Sequence, residues 1–279
     1  MIFDGRKLAG EIINSLKQET ASWKTKPILA VVSLGAKADN SSYIKQKKET
    51  ALVLDFGFKH YHFDLPMAAS KLRTELNKIA KRKNINGLII QIPLPKSVNP
   101  AVVNVIPVEK DVDLLSDKSV GLFFNGRSAV IPPTPAAILK ILEEAQVTLA
   151  GKIVAIFGLG KLVGRFLVSM LIGGGATVLI IEKNTPQDLA VEFSLKADII
   201  ISAVGESKLI MGDMVKEGAV VIDAGFSIGV DGKLAGDVDF DSVKNRASFI
   251  TPVPGGVGPV TVAMLYYNLV KLYKFKKDA

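Results

Sequence analysis

Apolar residues recur along the chain in short runs, separated by turn residues and by segments with helical periodicity. In the first half, the runs at residues 28–32 and 87–92 predict buried strands, and the periodic segments 42–54 and 70–82 predict helices. Apolar runs that alternate with helical segments are typical of βα units around a parallel sheet. The pattern therefore predicts an α/β fold.

The second half repeats the alternation in the manner of a compact nucleotide-binding α/β domain. A helix is predicted at residues 162–172. The strands are predicted at residues 152–157, 177–181, 198–202 and 219–223. After a segment rich in proline and glycine, the chain ends in an apolar helix that begins at Thr261.

The pattern changes between the two halves. Residues 111–127 are mixed and irregular, and prolines 132, 133 and 135 interrupt regular structure before an apolar helix at 136–144. The length of 279 residues is also that of about two typical domains. We therefore expect two domains that meet near residue 135.

One strand end is marked by two prolines. Pro93 and Pro95 cannot continue a central ladder, so Gln91 is expected at the carboxyl end of its strand. In an open α/β sheet that edge faces the ligand crevice.

Composition narrows the chemistry. The chain has no cysteine, which excludes a disulfide scaffold, a thiolate zinc site and a cysteine nucleophile, and favours the cytoplasm as its location. The most apolar run, residues 167–181, is interrupted by three glycines and is shorter than the roughly 20 residues that span a bilayer. We expect a protein outside the membrane.

The charge balance favours an anionic partner. Lysines and arginines number 35 against 27 acidic residues, which gives a net charge of +8. The basic clusters are short and mixed with acids, and no nucleic-acid-binding motif accompanies them. The basic clusters are therefore interpreted as solvated surface rather than a nucleic-acid face, and an anionic small molecule remains open as a partner.

A glycine-rich turn directly follows a predicted strand and opens a predicted helix. Glycines in such a turn let the backbone approach a pyrophosphate, whose charge is bound by amides at the helix N-terminus. The GxGxxxG spacing is one residue longer than the usual fingerprint, so the context supports the interpretation. A tight turn without a ligand is the alternative. The predicted cofactor-binding residues are Gly158, Leu159, Gly160, Lys161 and Gly164.

Glu182 ends the next strand, about 20 residues after the glycines, where a carboxylate can accept hydrogen bonds from an adenosine ribose. The same charge repels a 2′-phosphate, so Glu182 favours NAD over NADP. Lys183, the next residue, is a cation that can contact a phosphate. An exposed acid at a strand end is the alternative for Glu182.

Two further groups of polar residues are candidates for chemistry. Tyr43 and Lys47 share one face of a predicted helix, where a phenol can orient an amine, unless both are surface neighbours. Asp111 and Asp113 alternate along the chain and are suited either to a heterocycle or to a solvated loop. Without a third ligand or a partner histidine they predict no metal site.

Two histidines, His60 and His62, alternate onto one face of a strand-like stretch. We assign them structural or surface roles.

These motifs, taken in order, resemble those of one family, bifunctional methylenetetrahydrofolate dehydrogenase/methenyltetrahydrofolate cyclohydrolase. The match extends from Asp4-Gly5 to the C-terminal helix. The residues that carry it are Tyr43 and Lys47, Gln91-Ile92-Pro93-Leu94-Pro95, Lys110-Asp111-Val112-Asp113 and Thr251-Pro252-Val253-Pro254-Gly255-Gly256-Val257-Gly258-Pro259-Val260-Thr261.

The resemblance implies an α/β fold with an N-terminal folate domain, a Rossmann-type dinucleotide domain and a cleft between them. It places residues 1–135 and the returning C-terminal helix, 260–279, in the first domain and residues 136–259 in the second. It also implies a cytoplasmic homodimer that binds tetrahydrofolate derivatives. The implied reactions are oxidation of 5,10-methylenetetrahydrofolate with NAD or NADP and hydrolysis of the methenyl product to 10-formyltetrahydrofolate.

The resemblance also implies roles for individual residues. Lys47 is the acid/base residue of hydrolysis, Gln91 tunes and positions it, Tyr43 lines the folate site, and Asp113 hydrogen-bonds the pterin. The loop of Pro254, Gly255, Gly256 and Val257 shapes the folate side of the cleft.

The chain departs from the family pattern at several positions. Leu159 stands where the family has a phosphate-reading arginine, and Glu182-Lys183 replaces His-Ser, so NAD is favoured over NADP. Leu114 replaces a glycine after Asp113, and Asn40 replaces the serine three residues before Tyr43. A dehydrogenase without hydrolysis, or a noncatalytic folate- or dinucleotide-binding regulator, are the alternatives that these departures leave open.

Overall fold

The computed structural model describes residues 1–35, 42–228 and 234–278. Contacts divide the chain into two units. Gly10–Pro133 and Val262–Ala279 form one, which we call the three-stranded unit, and Met1–Ala9 and Thr134–Thr261 form the other, which we call the five-stranded unit.

The three-stranded unit is built on a parallel sheet in the order β2-β1-β3. Six of the seven residues of the central strand are buried, because it pairs on both sides. The elements are α1 (Gly5–Thr20, which starts in the other unit), β1 (Ile28–Leu34), α2 (Ser42–Val53), β2 (Gly57–Phe63), α3 (Ala69–Ala80), β3 (Gly87–Ile90) and α4 (Asp117–Phe124).

The five-stranded unit has a parallel sheet in the order β10-β7-β6-β4-β5. The chain passes from β4 to β5 on one side and then crosses to β6 on the other. The elements are α5 (Pro133–Glu144), β4 (Ile153–Phe157), α6 (Gly164–Gly173), β5 (Thr177–Ile181), α7 (Gln187–Lys196), β6 (Ile199–Ser202), β7 (Val220–Asp223), β8 (Ser227–Ile228), β9 (Leu234–Ala235), α8 (Phe240–Val243), β10 (Phe249–Ile250) and α9 (Val257–Asp278). The topological switch point therefore lies between β4 and β6, where open α/β sheets bind ligands.

The predicted α/β class is confirmed, and the two main sheets are parallel. Several element predictions are wrong: the sequence pattern does not predict α1, and the C-terminal helix begins at Val257 rather than Thr261. Residues 117–124, predicted to be irregular, form α4, because the Ser116 hydroxyl accepts a hydrogen bond from the Ser119 amide as a helix cap. Helix α5 starts at Pro133 rather than after Pro135. Proline is tolerated in the first turn because the backbone N–H groups of that turn have no hydrogen-bond partner within the helix.

The first nine residues lie in the five-stranded unit, whereas the sequence places residues 1–135 together. The amide of Phe3 donates to the carbonyl of Ile250 at 2.9 Å, and the Phe3 ring packs on Phe249 with ring centroids 5.4 Å apart. Backbone pairing with β10 thus binds this segment to the second sheet.

The C-terminal helix α9 begins in the five-stranded unit, but from Val262 onward it belongs to the three-stranded unit. The Tyr266 hydroxyl donates to the carbonyl of Lys47 at 2.6 Å. The Asn268 side-chain amide donates to the carbonyls of Val112 at 2.9 Å and Ile131 at 2.7 Å. The polar groups of this helix segment thereby fix three other segments of the unit.

Across the described ranges, no helix combines the length and apolar character needed to cross a membrane. The same part of the chain contains no cluster of three or more histidine, aspartate or glutamate side chains suited to a metal ion.

Candidate active site

Lys47 lies on the buried stripe of α2, in line with Ile44 and Ala51 at helical spacing. Only 6% of Lys47 is exposed. Its Nζ donates to Oε1 of Gln91 at 2.8 Å. A cation on an apolar stripe is expensive unless it is hydrogen-bonded or discharged, so this placement points to chemistry.

Gln91 directly follows β3 at the carboxyl edge of the sheet. Its amide donates to the carbonyl of Val32 on β1 at 2.8 Å, which continues the ladder by one residue. Its side-chain Nε2 donates to the carbonyl of Ile92 at 2.9 Å. That contact fixes the amide plane and presents Oε1 to Lys47.

The charges around Lys47 act in opposite directions. Burial lowers the pKa of the Lys47 amine, and the negative charge of Asp113 raises it by a smaller amount. Burial raises the pKa of Asp113 and the charge of Asp111 adds to that shift, while Lys47 opposes it. The net result is an amine that releases its proton more readily than an exposed lysine.

Tyr43 stands four residues before Lys47 on α2 and is half-buried. Burial raises the pKa of its phenol, so the hydroxyl keeps its proton and is a hydrogen-bond donor at neutral pH.

The motif at residues 110–113 divides into structural and site residues. Buried Lys110 donates to the carbonyls of Ala80 at 2.6 Å and Arg82 at 2.9 Å, at the C-terminal end of α3. Buried Asp111 accepts hydrogen bonds from the amides of Leu115 and Ser116, both at 2.9 Å. Asp113 alone of the motif's charged residues acts on Lys47.

The two histidines lie on β2, where their side chains contact Ser33 of the neighbouring strand β1. The hydroxyl of buried Ser33 lies 2.7 Å from Nε2 of His60 and 2.9 Å from Nδ1 of His62. His62 Nε2 lies 3.2 Å from Asp64 Oδ1. These contacts fit the structural role assigned to both histidines.

The glycine-rich turn begins directly after β4. Gly158 has a φ of +89°, which side chains rarely adopt. A Cβ on Gly164 would lie 2.2 Å from the carbonyl oxygen of Gly158, so only glycine fits at the start of α6. Gly160 has open space around it. The helix begins two residues later than predicted.

Glu182 contacts this turn. Its carboxylate accepts a hydrogen bond from the amide of Leu159, and its own amide donates to the Thr185 hydroxyl at 3.0 Å. Lys161 and Lys183 are exposed. The structure thus brings Glu182 and the turn together at the carboxyl edge of the sheet.

The turn fits a dinucleotide. The tight approach at Gly164 and the left-handed Gly158 bring backbone rather than side chains to the surface of the crevice. Such a surface suits a pyrophosphate at the switch point of an open sheet.

Pro254, Gly255, Gly256 and Val257 lie in the five-stranded unit. Gly255 has a φ of +107°, and its carbonyl accepts a hydrogen bond from the amide of Gly5 at 3.0 Å. A Cβ on Gly256 would lie 2.5 Å from the carbonyl oxygen of Pro252. Val257 is buried and begins α9. Close backbone packing explains the two glycines of this loop.

Three buried residues with long-range hydrogen bonds are not among the candidates that the sequence predicts: Tyr266, Asp223 and Asp237. Tyr266 was invisible as a partner because it lies 219 positions from Lys47. Asp223 ends a predicted strand, which was a usable signal. Asp237 follows a glycine in a segment without periodicity, so nothing local marked it.

Comparison with known families gives two matches. Residues 3–113 match the family described as tetrahydrofolate dehydrogenase/cyclohydrolase, catalytic domain. Residues 132–277 match the family described as tetrahydrofolate dehydrogenase/cyclohydrolase, NAD(P)-binding domain.

Curated relatives match over nearly the whole chain. The chain is 41% identical over 276 residues to the bifunctional protein FolD of Hydrogenobaculum sp. (strain Y04AAS1), with 98% of each chain covered. It is 38% identical over 277 residues to the bifunctional protein FolD of Bacillus licheniformis, with 98% of this chain and 97% of the relative covered.

Solved structures agree. The bifunctional enzyme FolD, methylenetetrahydrofolate dehydrogenase/cyclohydrolase, from Campylobacter jejuni has a TM-score of 0.92 and 34% identity, with 99% of both chains covered. The Trypanosoma brucei methylenetetrahydrofolate dehydrogenase-cyclohydrolase, solved with NADP and an inhibitor, has a TM-score of 0.94 and 31% identity, covering 100% of this chain and 99% of that one.

Proposed function

The chain belongs to the tetrahydrofolate dehydrogenase/cyclohydrolase family, and from this premise we propose that Lys47 performs the hydrolytic step of a bifunctional enzyme. The enzyme is a methylenetetrahydrofolate dehydrogenase and a methenyltetrahydrofolate cyclohydrolase. It oxidises 5,10-methylenetetrahydrofolate with NAD(P)⁺ and hydrolyses the methenyl product to 10-formyltetrahydrofolate. The observation that supports the role of Lys47 is its buried amine, 2.8 Å from Gln91 Oε1.

Hydrolysis needs a base at the methenyl carbon, which is part of a cation. In the proposed step, a water oxygen bonds to this carbon and the Lys47 amine accepts the proton that the water loses. The proton is then returned to the ring nitrogen whose bond to the carbon breaks, and the remaining hydroxyl proton passes to solvent as the C=O bond of the formyl group forms. Because burial lowers the pKa of Lys47, the neutral amine is accessible for this step.

The neighbours of Lys47 have supporting roles in this proposal. Gln91 holds the amine through a neutral oxygen and so adds no charge that would raise its pKa. Asp113 is proposed to accept hydrogen bonds from the pterin, and the protonated phenol of Tyr43 to line the folate site.

Oxidation is a positioning task for the protein. A bound nicotinamide would supply the hydride acceptor, and we propose that its dinucleotide phosphates would be held by Gly158, Leu159, Gly160, Lys161 and Gly164. The backbone at Gly158 and Gly164 is the part of the turn that a pyrophosphate can approach closely. The loop from Pro254 to Val257 remains a predicted folate contact.

NAD is the proposed cofactor in preference to NADP. The Glu182 carboxylate, fixed on the Leu159 amide, repels a 2′-phosphate, and Leu159 supplies no cation there. Exposed Lys183 opposes this preference with a charge that solvent and salt screen.

The test of cofactor choice is reduction of NAD and of NADP in separate reactions with 5,10-methylenetetrahydrofolate. We expect faster reduction of NAD, and we expect Glu182→Ser to lower the NAD/NADP ratio of kcat/KM by about tenfold or more, since juxtaposed like charges at a binding site cost at least about 1.4 kcal/mol, which is a factor of ten. Lys183→Ser is the matched control and should not lower the ratio. An unchanged ratio in Glu182→Ser would remove Glu182 from this role.

The test of hydrolysis is Lys47→Ala, assayed on the methenyl substrate alone. We expect the hydrolysis rate to fall by about a hundredfold or more, as for loss of a general base, while dinucleotide binding is retained. Lys45→Ala is the matched control, because Lys45 is exposed on the same helix and pairs only with Glu49 among the described contacts. Undiminished hydrolysis in Lys47→Ala would contradict the proposal.

A second candidate is a dehydrogenase that does not hydrolyse, and Leu114 favours it. This residue follows Asp113 with a φ of +50°, where the family pattern has glycine, and its side chain is buried. Asn40, the other departure, lies outside the described residues. Accumulation of methenyl product without formyl product would identify this candidate.

We also propose a homodimer in the cytoplasm. The family resemblance supports the dimer, and the absence of cysteine supports a reducing compartment. Sedimentation equilibrium and cell fractionation test the two statements separately.

A further inference from the structure

The carboxylate of Asp237 is fully buried and surrounded by donors from the segment after β6. Its Oδ2 accepts from the Ser202 hydroxyl at 2.5 Å and from the Val204 amide at 2.8 Å. Its Oδ1 accepts from the amides of Gly205 at 2.9 Å and Glu206 at 2.8 Å. A carboxylate has about four acceptor sites, so this single side chain is saturated by one short segment.

That segment, residues 203–206, is called the β6 loop here. The amide of Ala203 donates to the carbonyl of Phe157, the last residue of β4, at 3.1 Å. A Cβ on Gly158 would lie 3.1 Å from Cγ2 of Val204, so the β6 loop adjoins the glycine-rich turn. The two segments leave β6 and β4 on either side of the topological switch point.

Asp237 is itself held in place from β7. Its amide donates to Oδ1 of Asp223 at 3.2 Å, and the Val238 amide donates to Oδ2 at 2.9 Å. A Cβ on Gly225 would lie 2.0 Å from Oδ2 of Asp237, so the carboxylate fits only beside a glycine. The end of a central strand therefore determines where the Asp237 carboxylate lies.

We propose that Asp237 is a positioning residue for dinucleotide binding, which fixes the β6 loop as the wall of the crevice opposite the glycine-rich turn. This inference rests on the proposed dinucleotide role of that turn. Three of the four donors are loop amides that point inward to the carboxylate. Without it these amides turn toward water, and the exposed Val204 loses its fixed place beside Gly158.

The test is Asp237→Asn, which keeps the size of the side chain and replaces one acceptor oxygen by a donor NH₂ group. Calorimetric titration with NAD⁺, and separately with NADP⁺, should show binding at least about tenfold weaker than wild type. Amide hydrogen exchange at residues 203–206 should become faster. Methenyl hydrolysis measured without dinucleotide should stay within about twofold of wild type.

The matched control is Asp198→Asn. Asp198 precedes β6 at the opposite edge of the same sheet, where its carboxylate accepts from the Ile153 amide at 3.1 Å and from Lys216 Nζ at 2.8 Å. Dinucleotide affinity should be unchanged in this variant. An equal loss of affinity in both variants would mean that general destabilisation is responsible, and would overturn the inference.

A second variant keeps the test decisive if Asp237→Asn does not fold. Ser202→Ala removes one of the four donors and should weaken dinucleotide binding about twofold to fivefold. Wild-type affinity in Ser202→Ala then, or in a folded Asp237→Asn, would overturn the inference. Failure of the wild type to bind either dinucleotide would instead overturn the proposed function, and the inference with it.

Discussion

The negative charge of Asp113 is the main influence that opposes proton release by Lys47. Burial lowers the pKa of the Lys47 amine, and the Asp113 carboxylate raises it. Part of the free energy that keeps the Lys47 amine protonated therefore comes from Asp113, whose charge a single substitution removes.

Hydrolysis should speed up as pH rises through the pKa of Lys47, and Asp113→Asn should shift the midpoint of this rising limb of the pH profile to lower pH. The neutral amide no longer stabilises the Lys47 ammonium, so the amine deprotonates at lower pH and kcat/KM for hydrolysis rises earlier on the pH axis. The measurement is kcat/KM of methenyl hydrolysis across pH 5–9, because a uniform change in folate affinity scales this profile without moving its midpoint. Glu49→Gln, an exposed change on the same helix, should leave the midpoint in place.

A midpoint that stays unchanged in Asp113→Asn would mean that Asp113 carries no charge in the working pH range. Burial and the charge of Asp111 both act in that direction, since they raise the pKa of Asp113. The profile thus tells an ion pair from a neutral pair.

Leu114, which stands where the family pattern has glycine, shows at the residue scale how burial can offset the backbone strain of a sequence departure. Its φ of +50° costs an L-residue about 1–2 kcal/mol relative to glycine, while its buried side chain gains about 2–3 kcal/mol. The burial offsets the strain.

At the scale of elements, two glycines of the glycine-rich turn, Gly160 and Gly164, belong to the same sequence motif but differ in how much space surrounds them. A Cβ on Gly164 would overlap the carbonyl of Gly158 at 2.2 Å, whereas nothing lies within 4 Å of a Cβ on Gly160. Gly164→Ala should destabilise the unit by about 1–3 kcal/mol and weaken NAD⁺ binding, because the turn must open. Gly160→Ala should change stability by about 0.5 kcal/mol or less. Urea unfolding and NAD⁺ titration of both variants measure these effects, and equal behaviour of the two would contradict the packing argument.

Most strands of the two parallel sheets could be predicted from the sequence because buried parallel strands are continuous apolar runs, as at β1 and β6. The edge strand β10 was not predicted, because its two residues, Phe249 and Ile250, are too few to form such a run. The ends of the strands and the capped helices were harder. Helix α4 depends on a single cap at Ser116, and α5 starts at Pro133 because proline is tolerated in the first turn of a helix. The periodicity of hydrophobic residues reveals neither feature. The pairing of Lys47 with Gln91 joins positions 44 residues apart, so only the family resemblance indicated it before the structure did.

The site residues show the same division. Spacing located the glycine-rich turn but did not distinguish Asp111, a backbone acceptor, from Asp113, which acts on Lys47. Asp237 escaped because its four donors lie more than 30 residues away along the chain. Long-range hydrogen bonds to buried carboxylates leave no local trace.

At the scale of the whole molecule, the excess of 35 basic over 27 acidic residues gives a net charge of +8, which acts on any anionic substrate that approaches. Folates with polyglutamate tails are polyanions, and the screening length falls from about 10 Å at 0.1 M salt to about 3 Å at 1 M. A tail with several charges should therefore experience a larger change with salt than a single glutamate.

KM for a pentaglutamyl methylenetetrahydrofolate should consequently rise by about tenfold between 0.05 M and 0.5 M potassium chloride, and KM for the monoglutamyl form by about threefold or less. The difference between the two slopes isolates the tail, because the two substrates share the same ring system and use the same cofactor. Equal slopes would show that the net charge acts only on the ring system or the dinucleotide. Lysines that bind a charged tail must lose this effect when salt screens them, so they would make the pentaglutamyl slope steeper. If the slopes are equal, the surplus lysines serve solubility rather than substrate capture.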